Sequence, residues 1–356
     1  RSNPPLYEAA SELAADVGVG NSSYTDYDLE IIEVTKKWLH KKVESTSPWA
    51  AFVSLVSPHY PLTCPEDYFN MYNPDEIDLP IGYGERVLPT HSELKNIKDF
   101  YNYDQYFDEK KMREAKVAYY GLTSFMDDCV GKILDALEAS GQAKNTVVLY
   151  ISDHGDMLGD QGFWTKQVMY EQSAGVPMVI SGPGVPKGRT VETGTSLIDL
   201  ASTAIEVTGV DDCEYSQGLP GFSLRKLANL DDDLDRTIFS EYHDGGSTTG
   251  TFMIRWQNWK YVHYVGHPPQ LFNLKRDPDE LADLVMMRPN EPSVTQILEE
   301  GERRLRKICD PEAVNEKCFA DQTAKIKSLG GEEACLNAFR FNHTPTPSEQ
   351  VKYSKS

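Results

Sequence analysis

The pattern of apolar positions predicts strands that alternate with helices in the first part of the chain. Continuous apolar runs that are typical of buried strands occur at residues 51–57, 146–151 and 176–181. Apolar residues recur at helical spacing in three other segments, residues 27–40, 111–140 and 196–208. This alternation favours an α/β fold with a mostly parallel sheet flanked by helices.

Each predicted helix has an apolar face that we expect to point into the core. The faces consist of Ile31, Val34 and Trp38 in the first helix, of Ala118, Leu122, Phe125, Cys129, Ile133 and Leu137 in the second, and of Leu197, Leu200, Ala204 and Val207 in the third. Asp26 lies near the expected start of the first helix, and Gly141 fits the turn that ends the second. Residues 61–105 lack clean periodicity, which predicts a long irregular excursion.

The character of the sequence changes after Gly209, where Pro, Gly and the acidic run Asp231–Asp233 mark a boundary. Beyond it, short strands are predicted near residues 237–241, 251–255, 260–264 and 271–274, with a helix at 293–308. We therefore expect residues 1–230 to belong to the α/β domain and residues 231–310 to form a smaller α+β subdomain around an antiparallel sheet. Residues 311–356 are expected to form a tail whose last ten residues are mobile.

The overall charge of the chain argues against two classes of binding partner. The chain has 356 residues and a formal net charge of −20 at pH 7. Such a charge argues against binding to nucleic acid, which needs a basic face, and against attraction to an anionic membrane surface. No apolar run is long enough to span a bilayer. The six cysteines include no CxxC pair, which argues against a zinc ribbon or a thioredoxin-like site.

The turn that follows the second apolar run carries the most informative chemistry. Ser152, Asp153, His154 and Gly155 come directly after the predicted strand. In open α/β sheets, ligands bind beyond the carboxyl ends of strands, and an oxygen ligand beside an imidazole is a plausible half of a divalent-metal site. The alternative is a plain loop in which Asp153 caps a helix and Gly155 turns the chain.

Two further polar side chains lie near the ends of predicted strands. His59 stands in a Pro-His-Tyr-Pro frame after the first apolar run, and Lys166 lies between the other two runs. Each has an ordinary alternative, because most lysines are solvated surface groups and a histidine after a strand is usually a satisfied polar group. Context therefore decides how each of these residues is interpreted.

That context is a resemblance to the sulfatase family of the alkaline-phosphatase superfamily, and in particular to its choline-sulfatase-like and arylsulfatase-like members. The resemblance extends from about Tyr24 to about Leu284. Each motif is weak alone, and their order and spacing together make the resemblance specific. The matching pieces are Ser57–Pro61, Tyr120–Asp128, Ser152–Gly155, Lys166, Val176–Gly184, Ser240–His243, Trp259–Tyr261, Gln270–Leu274 and Asp277-Pro278.

The resemblance implies a role for several of these residues. Asp153 would be an oxygen ligand of Ca²⁺ or a similar hard divalent ion, with Mn²⁺ and Mg²⁺ as alternatives, and His154 would be the neighbouring ligand. Lys166 would contact the sulfate group of the substrate. His59 would bind the sulfate or protonate the leaving group. His243 lies in a region that is near the substrate pocket in choline-sulfatase-like members, and an equally good interpretation is a strand-end histidine of the second subdomain.

The nucleophile of the family is absent from this sequence. The expected motif, Cys-x-Pro-Ser-Arg or Ser-x-Pro-Ser-Arg, does not occur, and neither do the paired aspartates of the first strand of the family fold. We therefore expect this chain to be the C-terminal portion of a longer protein, with a formylglycine nucleophile in the missing part. The isolated polypeptide is then expected to be inactive.

Two other functions remain open at this point. Phosphonate and phosphodiester hydrolases of the same superfamily share the Asp-His-Gly motif, and a degenerate member could bind sulfated ligands without catalysis. The alcohol part of the substrate also stays open between choline, an aryl alcohol and a sugar. The sequence decides neither the compartment (cytoplasmic, or periplasmic or secreted) nor whether the protein is a homo-oligomer.

Overall fold

The structure is a computed structural model that describes residues 10–45, 47–83, 91–209 and 218–338. The chain divides into two compact units. Among the described residues, the sheet unit comprises residues 81–83, 91–101, 146–209 and 218–324, and the helical unit comprises residues 10–45, 47–80, 102–145 and 325–338. The boundary predicted at residue 230 stays a prediction, and the last ten residues lie outside the described part of the chain.

The elements alternate in the way expected of a mixed α/β protein. The helices are α1 (Ala10–Ala15), α2 (Ser23–Lys42), α3 (Glu66–Phe69), α4 (Ser92–Tyr101), α5 (Glu109–Ala139), α6 (Glu171–Ala174), α7 (Asp199–Thr208), α8 (Leu224–Leu227), α9 (Leu284–Met287), α10 (Pro292–Ile308), α11 (Pro311–Ser328) and α12 (Glu332–Ala338). The strands are β1 (Val17–Val19), β2 (Leu62–Cys64), β3 (Val148–Ile151), β4 (Met178–Ser181), β5 (Ile238–Tyr242), β6 (Thr251–Trp256), β7 (Trp259–Tyr264) and β8 (Gln270–Asn273). Within the described residues, none of these helices combines the length and apolar character needed to cross a membrane.

Helix α5 dominates the helical unit and matches its prediction closely. The side chain of Asp108 caps its start by accepting a hydrogen bond from the backbone N–H of Lys111 at 2.8 Å. Gly141 follows its end with φ of 73°, a conformation that glycine adopts without strain. The predicted face is confirmed at the buried residues Ala118, Leu122, Phe125, Cys129 and Leu137.

Helix α2 begins earlier than predicted and buries a different face. Ser22 and Thr25 form a reciprocal capping box, so the helix starts at Ser23 and not near Asp26. Ile32 and Leu39 are buried, whereas Val34 is 61% exposed, and its assignment to the buried face was wrong. The buried face differs from the predicted one because Asp28 is buried and its carboxylate binds backbone groups of residues 56 and 57.

Residues 51–57 do not form the predicted strand. The carboxylate of Asp28 accepts hydrogen bonds from the backbone N–H groups of Val56 at 2.7 Å and Ser57 at 2.9 Å. A side chain therefore takes the place of a neighbouring strand there. Phe52, expected to be buried, is 87% exposed. A parallel pair that the apolar pattern did not indicate, β1 with β2, forms elsewhere in this unit.

Residues 61–105 are more regular than predicted. Their described part contains β2, the short helix α3 and α4, a helix of 10 residues in the sheet unit whose buried face includes Leu94 and Ile97. Residues 84–90 of this segment lie outside the described part of the chain. The expectation of a structureless excursion was therefore wrong over this helix. The Pro-rich and Asp-rich composition of the flanking residues masked its short apolar stripe.

The sheet unit contains the predicted antiparallel sheet. Strands β5, β6, β7 and β8 pair in sequence order as an antiparallel meander, within about two residues of the predicted positions. Helix α10 covers one face through the buried side chains of Val294 and Leu305. The two predicted strands beside the candidate turn are also present, as β3 and β4. They pair antiparallel with Ile151 opposite Met178, so the expectation of a parallel arrangement was wrong for this pair.

Two predictions near the C-terminal side need correction. The helix expected at residues 196–208 is α7, and its buried residues include Asp199 and Thr203, while Ala204 and Val207 are exposed. The predicted apolar face was wrong because Asp199 is buried and forms an ion pair with Arg236. Its Oδ1 lies 2.6 Å from Nη2 of Arg236. The segment after residue 310 contains the 18-residue helix α11, where no regular element was predicted.

Candidate functional site

The turn after β3 is fixed by its own polar groups. The hydroxyl of Ser152 donates to the carbonyl oxygen of His154 at 2.8 Å, and the N–H of His154 donates to Asp153 Oδ1 at 3.1 Å. The side chain of Asp153 remains 83% exposed. Its carboxylate is therefore held at the strand end and stays accessible to a ligand.

Gly155 brings this turn against helix α6. Its N–H donates to the carbonyl oxygen of Ser173 at 2.7 Å. A Cβ atom at this position would lie 2.0 Å from the carbonyl oxygen of Gln172, a distance that no side chain tolerates. The close approach of two backbones therefore requires glycine here.

The imidazole of His154 is oriented by the backbone. Its Nδ1 lies 2.7 Å from the carbonyl oxygen of Gly155, and its Nε2 lies 3.6 Å from Asp153 Oδ2. With the proton on Nδ1 donated to Gly155, the lone pair of the ring is on Nε2, on the side of the Asp153 carboxylate. This tautomer is the one that a metal-ligating histidine needs.

Asp156 ties the turn to the segment that carries Lys166. Its Oδ1 accepts hydrogen bonds from the N–H groups of Leu158 at 3.0 Å and Thr165 at 3.1 Å. Burial raises the pKa of Asp156, and these two hydrogen bonds oppose the rise. Asp156 is therefore a turn-forming residue that also contacts the residue before Lys166.

Lys166 belongs to the segment that Asp156 joins to the turn. Its carbonyl oxygen accepts a hydrogen bond from the hydroxyl of Ser173 at 2.8 Å. Burial lowers the pKa of the Lys166 ammonium group, and the negative charges of Asp153, Asp156 and Asp244 oppose that shift. The lysine is thus a partly desolvated cation within the electrostatic reach of three carboxylates.

His243 has contacts that fit either of its two interpretations. Its Nε2 lies 3.2 Å from Glu241 Oε2, its carbonyl oxygen accepts from Gln322 at 3.2 Å, and its ring meets Phe252 edge-on with centroids 5.2 Å apart. These contacts describe a well-packed strand-end histidine. Its neighbour Asp244 is the residue whose charge acts on Lys166. A substrate-binding role for His243 stays a prediction.

His59 belongs to the helical unit, whereas the other candidate residues belong to the sheet unit. Its Nδ1 lies 2.7 Å from the carbonyl oxygen of Tyr60, and its ring stacks on Tyr60 with centroids 4.6 Å apart. Tyr24 meets it edge-on at 5.8 Å. The ring is therefore held in a defined orientation, and its catalytic role stays a prediction.

The donor groups present fit part of a divalent-cation site. Asp153 offers carboxylate oxygen and His154 offers Nε2, on the same side of the turn. Within the described residues no three His, Cys, Asp or Glu side chains converge as a cation site. Ca²⁺ takes about 6–8 oxygen ligands, so further donors are needed beyond this pair.

Comparison with known proteins decides the family. The sulfatase family model matches residues 3–210, which is more than half of the chain. The chain belongs to the sulfatase family. A second family model, described as the C-terminal region of N-sulphoglucosamine sulphohydrolase, matches residues 159–309. The resemblance inferred from the motifs is confirmed.

Curated relatives agree with this assignment. Choline-sulfatase of Rhizobium meliloti (strain 1021) is 31% identical over 288 residues, which cover 76% of this chain and 54% of that protein. Arylsulfatase K of Danio rerio is 30% identical over 308 residues, which cover 81% of this chain and 57% of that protein. The chain thus spans little more than half the length of these relatives.

A solved structure supports the fold. The phosphonate monoester hydrolase of Agrobacterium radiobacter superposes with a TM-score of 0.66 over 86% of this chain and 64% of its own, at 23% identity. At that identity the similarity shows the shared fold alone. The mixed α/β architecture of the sulfatase-like members, with a C-terminal antiparallel sheet, is confirmed.

Sequence reasoning missed three residues of this cluster. Asp244 was passed over in favour of its neighbour His243, and the contact of Asp156 with Thr165 was not foreseen. Ser173 was not considered at all, because a serine in a short polar segment gives no signal. The close backbone approach at Gly155 is the observation that identifies Ser173 as the connecting residue.

Proposed function

We propose that the protein containing this chain is a sulfuric ester hydrolase, which releases inorganic sulfate from an organic sulfate ester. The observation that carries this proposal is the joint anchoring of the Asp153-His154 turn and of Lys166 by one residue, Ser173. Membership of the sulfatase family supports the reaction class. The substrate would be a small molecule or a saccharide that carries a sulfate ester.

In this proposal, Lys166 contacts the sulfate oxygens. Its ammonium group is partly desolvated, so a nearby anion interacts with it more strongly than with a lysine in water. Its backbone is held on both sides, by Ser173 and through Thr165 by Asp156. A cation that is fixed before the substrate arrives stabilises charge in the transition state without reorganisation.

The cation site would use Asp153 and His154 from this chain. A divalent ion, Ca²⁺ by resemblance, would offset the charge on the sulfuryl oxygens. Asp153 would contribute an oxygen ligand and His154 its Nε2, with the remaining ligands coming from other parts of the protein. Mn²⁺ and Mg²⁺ are the alternative ions.

The nucleophile would come from a part of the protein outside this chain, and by resemblance it is a formylglycine. The hydrated aldehyde of formylglycine would supply the hydroxyl group that attacks sulfur, and elimination of the bound sulfate would regenerate the aldehyde. On the side of the leaving group, His59 is the proposed proton donor to the departing alcohol. His243 is proposed to line the substrate pocket, next to Asp244. The isolated chain is proposed to be inactive for lack of the nucleophile.

Release of sulfate from a chromogenic aryl sulfate and from choline sulfate tests the proposal on the complete protein. We expect Lys166→Ala to lower kcat/KM by roughly 10²–10³-fold, as removal of a preorganised charge does. His154→Ala is expected to abolish turnover and to weaken binding of the divalent cation. Lys187→Ala and His40→Ala are matched controls, because both side chains are exposed.

The same assay separates the alternatives. Turnover of a phosphonate monoester in preference to all sulfate esters would replace the proposed reaction with that of a phosphonate hydrolase. Binding of a sulfated ligand without any turnover by the complete protein would indicate a non-catalytic member of the family. Turnover that persists unchanged in Lys166→Ala would show that another group holds the sulfate.

A further inference from the structure

Lys260 is a charged side chain that is completely buried. It lies on β7 in the sheet unit with 0% side-chain exposure. Its Nζ lies 2.7 Å from Glu171 Oε1, 2.7 Å from Glu280 Oε1, and it donates to the carbonyl oxygen of Met169 at 2.8 Å. A buried ammonium group is tolerated only when it is paired and hydrogen-bonded, so these three contacts define its place.

Glu280 is the third charged residue of the buried cluster that it forms with Lys260 and Glu171. Its side chain is also fully buried, and its Oε2 accepts the backbone N–H of Glu171 at 2.6 Å. The carboxylate therefore contacts the side chain of Lys260 and the first residue of α6 at once. Its backbone has φ of 54°, which is uncommon for a residue with a side chain. The chain adopts a less favourable conformation at the residue that anchors α6.

The antiparallel sheet presents two cations to Glu171. Arg255 on β6 is the cross-strand partner of Lys260, and its guanidinium donates to Glu171 Oε2 at 3.1 Å. These attractions lower the pKa of Glu171 against the effect of burial, which raises it. Both oxygens of Glu171 are thus held by residues of the rigid meander. Helix α6 starts at a point that the sheet determines.

Helix α6 transmits this position to the candidate site. Ser173, two residues after Glu171, donates through its hydroxyl to the carbonyl oxygen of Lys166 and accepts the N–H of Gly155 at its own carbonyl oxygen. Met169, whose carbonyl oxygen Lys260 binds, lies three residues after Lys166. The segment with Lys166 is therefore held at two points that depend on the buried cluster.

Stability alone does not account for a charge at this place. Replacing a buried ion pair with apolar residues of similar volume is often neutral or stabilising. Contacts between apolar side chains have no preferred direction. A hydrogen bond constrains both the direction and the length of the contact, and so fixes a backbone group to within a few tenths of an ångström. The targets of Lys260 and Glu280 include two backbone groups, the Met169 carbonyl and the Glu171 N–H.

We propose that Lys260, Glu171 and Glu280 are positioning residues, which set the placement of Lys166 relative to the Asp153-His154 turn by fixing helix α6. They do not touch the substrate, and they act through Ser173. The consequence for turnover rests on the proposed function, whereas the placement of the two segments does not.

The test compares two ion-paired cations of the same unit, buried Lys260 and half-buried Arg236. Lys260→Met and Glu280→Ala remove members of the cluster, and Lys260→Arg keeps the charge. Arg236→Met is the matched control, because it breaks the ion pair with buried Asp199, and the partners of Arg236, Asp199 and the carbonyl oxygen of Gly194, lie outside α6 and the Lys166 segment. Each complete protein is examined by thermal unfolding, by amide hydrogen exchange of residues 152–171, and by kcat and KM for an aryl sulfate.

We expect Lys260→Met and Glu280→Ala to remove exchange protection at Gly155 and Thr165 well below the melting temperature. In both variants kcat falls by on the order of 10²-fold, the effect of a misplaced catalytic group, and Lys260→Arg recovers part of it. Arg236→Met should lower the melting temperature while residues 152–171 stay protected and kcat is retained. Equal behaviour of Lys260→Met and Arg236→Met in exchange and in kcat would overturn the proposal.

The two proposals fail in different ways. If the wild-type protein hydrolyses no sulfate ester, the proposed function fails, and the exchange comparison alone then supports or overturns the positioning role. If a variant of Lys260 does not fold, Glu280→Ala supplies the comparison, because it leaves Lys260 paired with Glu171. Protection that is unchanged at Gly155 in a folded Glu280→Ala variant would also overturn the inference.

Discussion

The N–H of Gly155 donates a hydrogen bond to the carbonyl oxygen of Ser173 at 2.7 Å, and the hydroxyl of the same serine donates to the carbonyl oxygen of Lys166 at 2.8 Å. One residue therefore anchors both segments of the candidate site. Hydrogen bonds to backbone groups are less sensitive to side-chain motion than contacts between two long side chains. The relative placement of the turn and the lysine segment depends on this serine.

Replacing Gly155 with alanine should disrupt the site. The new Cβ would lie 2.0 Å from the carbonyl oxygen of Gln172, so one backbone must move. We expect a loss of about 1–3 kcal/mol or more in the free energy of unfolding, together with loss of activity. Gly131→Ala is the control, because its Cβ would meet nothing within 4 Å inside helix α5. A stable, active Gly155→Ala protein in urea titration would contradict the described packing.

Asp244→Asn should lower the pKa of Lys166 further. Burial already lowers that pKa, and the Asp244 carboxylate is one of three negative charges that oppose the shift. Removing one of them makes the protonated form less favourable, so the ammonium group releases its proton at lower pH. Carbon-13 NMR of reductively methylated protein would follow this titration, with Lys166→Arg used to assign the signal. A pKa that rises or stays constant in Asp244→Asn would contradict the electrostatic contact.

Two of the cysteines should resist labelling in the folded protein. Burial raises the pKa of the Cys64 thiol to about 12 and that of Cys129 to about 11. Both residues are also inaccessible, so at pH 8 a thiol reagent should reach them only after unfolding. Cys318 and Cys335 are half-buried free thiols and should react first. Mass spectrometry of the labelled peptides would show the order, and early labelling of Cys129 would contradict it.

The stability of the sheet unit should fall as the pH drops below about 6.5. Burial lowers the pKa of His91, and the nearby His267 lowers it further. The hydrogen bond to Pro268 and the negative charge of Glu93 act in the opposite direction and raise it. The folded state therefore binds fewer protons than the unfolded state between the lowered pKa and 6.5. The contribution of neutral His91 to the free energy of unfolding is fully present above pH 6.5 and is lost as the pH falls from 6.5 through the lowered pKa.

Thermal unfolding of wild-type and His91→Gln proteins between pH 5 and pH 8 would measure this effect. Glutamine can keep a donor for the Pro268 carbonyl, which His91 Nε2 contacts at 2.7 Å, and it does not titrate. We expect a smaller loss of stability at low pH in the variant. Buried His263 also has a lowered pKa, so some dependence should remain. Parallel curves for the two proteins would rule out a contribution from His91.

The sequence predicted best those elements whose periodicity reflects burial alone. Helix α5 and the β5–β8 meander have regular apolar periodicity, and their predicted positions were accurate, although they also bury Lys116 and Lys260. Prediction failed where a buried polar side chain organises the backbone. Asp28 replaces a strand neighbour for residues 56 and 57, and Asp199 turns α7 toward Arg236. Apolar periodicity carries no information about such contacts.

The candidate site shows the same division. The motif of Asp153 and His154 is visible because strand, acid, imidazole and glycine are consecutive, and Lys166 followed from the family resemblance. Ser173, Glu280 and Lys260 are far apart in the chain, and their importance arises from contacts across 7 to 109 residues of sequence. Only the folded backbone brings them together, so no local pattern could have identified them.

The exposure of Phe52 has a practical consequence. This ring is 87% exposed in a segment whose backbone N–H groups at Val56 and Ser57 are held by a single carboxylate. An exposed aromatic residue in a segment without regular secondary structure is a preferred cleavage point for chymotrypsin. Limited proteolysis of this polypeptide should therefore produce an early cut after Phe52.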